Sequence, residues 1–323
     1  MKVSVVMNTY MHETFIAEAI KGVLMQQCDY DVEVIIADDC SPDNTKVVVD
    51  SFMNHSNFKW IKYIRHDSNK GMMSNFIWAL KQASGKYIAL CEGDDYWTDP
   101  FKLQKQVDFL EGNESCVMCF HDVRILQTSG IIEDDFITNV PKGVKLNQKA
   151  LVVNSNFIHT PSVMFRNGFL LDMPRGFQFS PVGDYLLYLW LTNFGDIGYL
   201  SEFMGVYRYG VGVHSTKSEE KRNKEWFWVV LVGTFLVNKI ENLVYLENRL
   251  TGFLKQAVSW DNLIYDYSFK EGVEKFVACC SKVHMNERQS NIKKMSSRMI
   301  FHIFRKRLLN KFRKSSLVFS YFK

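Results

Sequence analysis

Short apolar runs alternate with amphipathic segments along the first third of the chain. Four such runs read as buried strands, and they cover residues 3–7, 31–37, 58–65 and 87–90. Between them apolar residues recur at helical spacing, which predicts helices over 13–27, 46–54 and 73–83 and a further helix beginning at Asp99-Pro100. This alternation with short connections predicts an α/β fold with a mostly parallel sheet flanked by helices.

The pattern changes after residue 115. Further strands are predicted over 117–126, 162–165 and 197–209, and Asp184 opens a short apolar helix. Residues 127–148 are polar and are predicted to form a mobile loop. From about residue 219 to the end, the pattern predicts only helices, so we expect a C-terminal helical extension.

Charge is distributed unevenly along the 323 residues. The net charge is +4, yet residues 291–323 hold ten Lys or Arg and no acidic residue, which leaves about −6 for the rest. Residues 299–314 place apolar and basic side chains on opposite helical faces, as is typical of a helix lying on an anionic membrane. A helix packed against its own domain is the alternative. Nucleic acid is not expected as a partner, because no recognition motif accompanies the basic run.

Location is inferred from what the sequence lacks. No signal peptide is visible, and the longest apolar run is too short to span a bilayer. Seven cysteines without a disulfide pattern fit a reducing compartment. We therefore expect a cytoplasmic protein, with the tail as a peripheral contact on the inner face of the membrane.

Acidic residues follow the predicted strands at the points where ligands bind in α/β sheets. Asp38-Asp39 ends one strand, and Asp94-Asp95 comes shortly after another. Adjacent carboxylates repel unless a cation neutralises them, and such oxygen ligands suit Mg²⁺ or Mn²⁺. Asp184 fits either a helix N-cap or a general base. His214, in a loop after a strand, fits either a surface histidine or a metal ligand.

Five motifs occur in order along the chain: 3–10 (VSVVMNTY), 35–45 (IIADDCSPDNT), 69–71 (NKG), 92–97 (EGDDYW) and 183–185 (GDY). In the order and spacing of these motifs, about residues 1–215 resemble the family 2 glycosyltransferases. Asn8 replaces the family's common proline, and Glu92 replaces the first aspartate of an acidic triplet. The resemblance implies a GT-A fold, with a nucleotide-sugar-binding half over 1–115, an acceptor and catalytic half over 116–218, and the helical extension over 219–323.

The resemblance also implies roles for individual residues. Thr9 and Tyr10 would line the nucleobase pocket, Asp39 would bind the base, Lys70 the base or phosphates, and Asp94 the ribose or sugar. Asp95, and His214 as a further contact, would bind Mn²⁺ or Mg²⁺, and Asp184 would be the catalytic base.

The implied function is inverting transfer of a sugar, most often from a UDP-sugar, to a hydroxyl of a glycan or lipid-linked glycan during surface polysaccharide or glycoconjugate synthesis. The alternative is a catalytically degenerate binding or scaffold subunit. A dinucleotide dehydrogenase is disfavoured, because the glycine-rich loop that it needs after the first strand is missing.

Overall fold

The computed structural model describes residues 2–171, 173–212 and 216–257. His214 and the basic tail, for which predictions were made above, lie outside these residues. Nine strands are present in the described chain: β1 (Lys2–Thr9), β2 (Asp31–Asp38), β3 (Ile61–Arg65), β4 (Tyr87–Leu90), β5 (Tyr96–Trp97), β6 (Cys116–Leu126), β7 (Ile132–Asp134), β8 (Met164–Arg166) and β9 (Asp196–Arg208).

Helices flank these strands. In the same ranges they are α1 (Ile16–Leu24), α2 (Thr45–Asp50), α3 (Met72–Gln82), α4 (Lys102–Gly112), α5 (Gln148–Asn154), α6 (Asp184–Leu191), α7 (Glu219–Leu236) and α8 (Ile240–Ala257). The predicted α/β fold is therefore confirmed. The expected helices after residue 219 are present as far as the description reaches.

All nine strands belong to one sheet, in the order β3-β2-β1-β4-β8-β6-β9-β5, with β7 added beside β6. The first four strands in this order are parallel to one another, so the carboxyl ends of β1, β2 and β4 lie at the same edge of the sheet. β8 runs antiparallel to both β4 and β6, whereas β6 and β9 are parallel. This arrangement joins the two halves of the chain edge to edge.

Alternation along β1 divides the core into two layers. Val3, Val5 and Met7 pack with α1 and α4 on one face, whereas Val6 packs with α3 on the other. Successive side chains of a strand point to opposite faces, so a strand covered on both sides is mainly apolar. This explains why the first strands could be recognised in the sequence as mainly apolar runs, although Ser4 and Glu33 are buried polar residues within them.

Several local predictions were wrong. Residues 58–65 are not a single strand, because Phe58–Trp60 form a 3-10 helix before β3 begins. Asp99 does not cap a helix that starts at Pro100. Its carboxylate instead accepts the Phe101 amide at 2.7 Å, and α4 begins only at Lys102.

The segment 127–148, predicted as a loop without regular structure, contains β7 and the first residue of α5. Asn147 caps α5 by accepting the backbone N–H of Ala150 at 3.3 Å. No helix among the described residues is long and apolar enough to cross a membrane.

Candidate active site

Three loops meet at the carboxyl edge of the parallel strands. The Asp39 amide donates to the Thr9 carbonyl at 3.0 Å, which joins the ends of β2 and β1. The Gly93 amide donates to the Asn8 carbonyl at 2.9 Å and joins the loop after β4 to the same place. The loops that carry the sequence motifs are therefore held together by backbone hydrogen bonds.

Glycine is required at position 93. A Cβ added there would lie 2.7 Å from the Nδ1 atom of His12 and 2.9 Å from the hydroxyl of Thr9. These separations are too short for van der Waals contact, so any side chain would push the loop outward. Gly93 thus lets the acidic residues on either side of it turn back toward the end of β1.

Glu92, Asp94 and Asp95 form an acidic trio in which one carboxylate oxygen from each residue lies within 4.8 Å of the other two. Asp95 is only 1% exposed. Its Oδ1 atom accepts the backbone N–H of Arg208 at 2.8 Å, while its buried Oδ2 atom has no hydrogen-bond partner in the described chain.

Burial and mutual repulsion govern the ionisation of the trio. Burial, together with the charges of Asp94 and Asp184, raises the pKa of Glu92 to about 8. Burial and the charge of Asp94 also raise the pKa of Asp95 well above its ordinary value. A cation would relieve both effects, and an all-carboxylate set of ligands fits Mg²⁺ or Mn²⁺. The residues present therefore fit the metal that the sequence predicts.

Arg208 holds the acidic loop in place without neutralising the trio. Its guanidinium donates to the backbone carbonyl of Asp94 and to the carboxylate of Glu18. It also lies over the ring of Tyr96 at 4.7 Å. The positive charge is thus directed to the backbone of the loop and to a carboxylate outside the trio.

Asp184 is the first residue of α6, and its carboxylate is held by three donors. Oδ2 accepts from the Asn156 side-chain amide at 3.1 Å and from the Thr160 hydroxyl at 3.4 Å. Oδ1 accepts the Tyr185 amide at 2.7 Å. Since the charge of Asp184 helps to raise the pKa of Glu92, Asp184 lies within electrostatic range of the acidic trio.

Tyr207 is a common neighbour of all these acids. Its pKa is raised first by burial and then by the charges of Asp95, Glu92, Asp94 and Asp184. Asp95, a predicted metal ligand, and Asp184, the predicted base, therefore both lie within electrostatic range of the same phenol.

The predicted nucleotide residues lie along the same edge. Both carboxylate oxygens of Asp39 accept backbone amides, from Lys70 at 2.6 Å and from Gly71 at 2.9 Å. Gly71 has a φ of 84° and directly precedes α3, so the loop turns at the end of β2. Thr9 is buried and its hydroxyl has no partner among the residues described, whereas Tyr10 is 40% exposed.

The sequence did not identify several of these residues. Asn156, Thr160, Tyr207 and Arg208 reach the site only because β8 and β9 join the first half of the sheet. Glu92 was noted as a substitution within a motif, and its place in the trio was not predicted.

Known proteins are similar to this chain in both sequence and fold. The family model described as "Glycosyl transferase family 2" matches residues 4–172. An uncharacterized protein of Mycobacterium tuberculosis is 36% identical over 228 residues, which are 70% of this chain and 63% of that protein's length. The chain therefore spans less than two thirds of this relative.

Two further similarities concern named enzymes. The Escherichia coli UDP-Glc:alpha-D-GlcNAc-diphosphoundecaprenol beta-1,3-glucosyltransferase WfgD is 28% identical, over 80% of this chain and 97% of its own length. The crystal structure of Staphylococcus aureus TarS 1–349 in complex with UDP superimposes with a TM-score of 0.58 at 18% identity. That match covers 98% of this chain and 92% of TarS 1–349. This chain has the GT-A fold and belongs to glycosyl transferase family 2.

Proposed function

We propose that this chain is an inverting, metal-dependent glycosyltransferase that moves a sugar from a UDP-sugar to a hydroxyl of a glycan or lipid-linked glycan. One observation carries the proposal. An acidic trio, in which Asp95 is buried and its Oδ2 atom has no partner among the described residues, lies within electrostatic range of Asp184, whose carboxylate is oriented by Asn156 and Thr160.

Glu92, Asp94 and Asp95 would hold Mn²⁺ or Mg²⁺. When bound, the ion supplies positive charge that offsets the charge of the diphosphate leaving group. His214, which lies outside the described residues, is kept as a proposed further ligand.

Nucleotide binding is proposed for the edge formed by β1 and β2. Thr9 supplies a buried hydroxyl, and Tyr10 supplies a partly exposed ring. Asp39 keeps free lone pairs on both oxygens after accepting two amides, so it can also accept from a base N–H. Lys70 is exposed beside it and can approach the base or a phosphate. Uridine is favoured because WfgD takes UDP-Glc and TarS binds UDP.

The transfer step is assigned to Asp184. Its carboxylate accepts the proton of the acceptor hydroxyl while that oxygen bonds to the anomeric carbon. The bond from the anomeric carbon to the diphosphate oxygen breaks, and the nucleoside diphosphate leaves with the bonding electrons. Since attack comes from the face opposite the leaving group, one displacement inverts the anomeric centre. Asn156 and Thr160 hold the carboxylate in position.

The acceptor class is proposed from the relatives. WfgD acts on a diphosphoundecaprenol-linked sugar, and the S. aureus relative TarS is named as acting on poly(ribitol-phosphate). We infer a lipid-linked or polymeric cell-surface acceptor, reached on the cytoplasmic side of the membrane with the help of residues 291–323. Removing these residues should abolish flotation with anionic vesicles. Undiminished flotation would exclude this role of the tail.

A panel of UDP-, GDP- and dTDP-sugars with Mn²⁺ tests the proposed reaction. We expect a UDP-sugar to raise the melting temperature only when Mn²⁺ is present, and to be slowly hydrolysed without an acceptor. Stabilisation without turnover, even with cell-envelope glycans added, would favour the degenerate binding subunit. Stabilisation by a GDP- or dTDP-sugar alone would contradict the uridine assignment.

A further inference from the structure

A histidine–aspartate pair lies directly beside the residues that hold Asp184. The Nε2 atom of His159 is 3.0 Å from an Asp135 carboxylate oxygen, and the two side chains are only 10% and 16% exposed. His159 also falls between Asn156 and Thr160 in the chain, the two residues whose side chains donate to Asp184. None of the roles proposed above uses this pair.

Asp135 belongs to the segment between β7 and α5. Besides His159, its carboxylate accepts the backbone amides of Ile137 at 2.8 Å and Thr138 at 3.2 Å. Burial alone would raise its pKa, but hydrogen bonds from His159 and Thr138 lower the pKa to about 2. One ionised carboxylate therefore fixes both the turn of this segment and the orientation of the histidine ring.

The histidine ring in turn packs against Tyr207, with ring centroids 4.5 Å apart and planes tilted by 35°. Tyr207 precedes Arg208 on β9, and the backbone N–H of Arg208 donates to Asp95. A continuous line of contacts thus runs from Asp135 through His159 and Tyr207 to the edge of the acidic trio.

We infer that Tyr207 contacts the substrate on the acceptor side, and that Asp135 and His159 are positioning residues that hold its ring. The inference rests on the proposed function. A phenol hydroxyl is a neutral donor, so it can bind a sugar or acceptor oxygen in a place where another carboxylate would repel it. The Asp135–His159 pair couples the segment before α5 to this hydroxyl.

Three variants of the full chain separate the hydroxyl from the pair that positions it. Tyr207→Phe keeps the stacked ring and removes the hydroxyl. Asp135→Ala removes the anchor, while Asp135→Asn keeps an oxygen that can accept from His159. UDP affinity with Mn²⁺ is measured by calorimetry, and kcat and KM are measured for transfer from UDP-GlcNAc or UDP-glucose to cell-envelope glycans.

Tyr207→Phe and Asp135→Ala should lower kcat about tenfold, since misplacing a substrate contact costs this much or more. UDP affinity and the KM for the UDP-sugar should change less than about twofold, because neither Tyr207 nor Asp135 is assigned to the metal or the nucleotide. Asp135→Asn should recover most of kcat. Tyr199→Phe is the matched control, since Tyr199 lies on β9 like Tyr207 and the variant removes a 2.8 Å tyrosine–aspartate hydrogen bond to Asp122 on β6. We expect it to leave kcat unchanged.

The inference is overturned if Tyr207→Phe keeps its kcat, if Asp135→Asn is as impaired as Asp135→Ala, or if Tyr199→Phe loses as much. It is also overturned if UDP affinity falls in parallel with kcat, since the line of contacts would then support the donor site or the fold. A wild-type chain that neither binds UDP nor transfers these sugars fails already at the proposed function, before any variant is compared. The inference then falls with it.

Discussion

Glu33 and Asp95 are buried carboxylates at opposite ends of the parallel part of the sheet, and their surroundings are opposite in kind. Glu33 lies near the start of β2 and is 2% exposed. Its oxygens accept from the hydroxyls of Ser4 and Ser84 at 2.6 and 2.7 Å, and they also bind Lys62 at 2.6 Å. Every part of this carboxylate is compensated by the protein itself.

Asp95 lies just past the other end of the strands with one backbone donor, and further carboxylates are its neighbours. Burial opposes ionisation at both places. Hydrogen bonds from Lys2, Lys62, Ser4 and Ser84 nevertheless lower the pKa of Glu33. In contrast, the charges of Asp94 and Glu92 add to the effect of burial and raise the pKa of Asp95. The same fold can therefore compensate a buried acid fully. Where it does not, the positive charge is expected to come from a ligand.

The largest effect is expected from Asp184→Asn. The amide retains the shape of the carboxylate but cannot take a proton from the acceptor, so transfer should fall by about 10²–10⁴-fold. UDP affinity in Mn²⁺ should remain within about twofold, since Asp184 is not assigned to the nucleotide. Product formation is measured with a UDP-sugar and cell-envelope glycans, and affinity by calorimetry. Transfer at the wild-type rate would remove Asp184 from the role of base.

Asp95→Asn should stabilise the metal-free protein and weaken its binding of the metal. Removing the buried charge of Asp95 from a mutually repelling trio should stabilise the metal-free protein by about 0.5–2 kcal/mol. The same change should weaken Mn²⁺-dependent UDP binding at least about tenfold, because a ligand of the cation is lost. Melting temperatures with EDTA and with Mn²⁺ measure both effects.

Asp122→Asn is the matched control, since its half-buried carboxylate accepts from Tyr199 outside the trio. This variant should retain the response to Mn²⁺. If Asp95→Asn lowered the melting temperature in EDTA and still responded fully to Mn²⁺, the trio would not be a metal site.

The sequence was sufficient for the parts of the site that depend on single strands. Buried parallel strands read as apolar runs, and their carboxyl ends could be located to within a residue or two. Asp39, Asp94 and Asp95 were therefore found at the correct edge. Asp184 was found by its motif, and the structure adds the donors that orient it.

Sequence patterns could not predict contacts that depend on strand pairing. Arg208 donates to Asp95 from 113 residues away, because β5 pairs with β9. β5 has only two residues and β7 only three, so neither shows a periodic pattern of its own. The prediction of a helix beginning at Asp99-Pro100 failed for the converse reason. The local sequence favours a helix start there, but a turn at these residues delays the start of α4 to Lys102.

The smallest effect on transfer is expected from Glu33→Gln, which removes the charge of the carboxylate that the protein itself compensates. Lys2 lies 2.8 Å and Lys62 2.6 Å from the Glu33 carboxylate, and a neutral amide would lose both ion pairs. The variant should lose about 1–3 kcal/mol of stability at pH 7, with unchanged UDP binding and transfer.

The loss of stability in Glu33→Gln should depend on pH in a direction set by the pKa of Glu33. The pKa of Glu33 is lower in the folded chain than its ordinary value of 4.5. The stabilisation from its charge is therefore complete above pH 4.5 and is lost as the pH falls from there toward the lower folded pKa. Urea unfolding of wild type and Glu33→Gln should show a wide gap at pH 7 that narrows below pH 4.5. A gap that stayed constant over this range would mean that Glu33 contributes by packing and neutral hydrogen bonds. The contrast with Asp95 would then not be one of charge compensation.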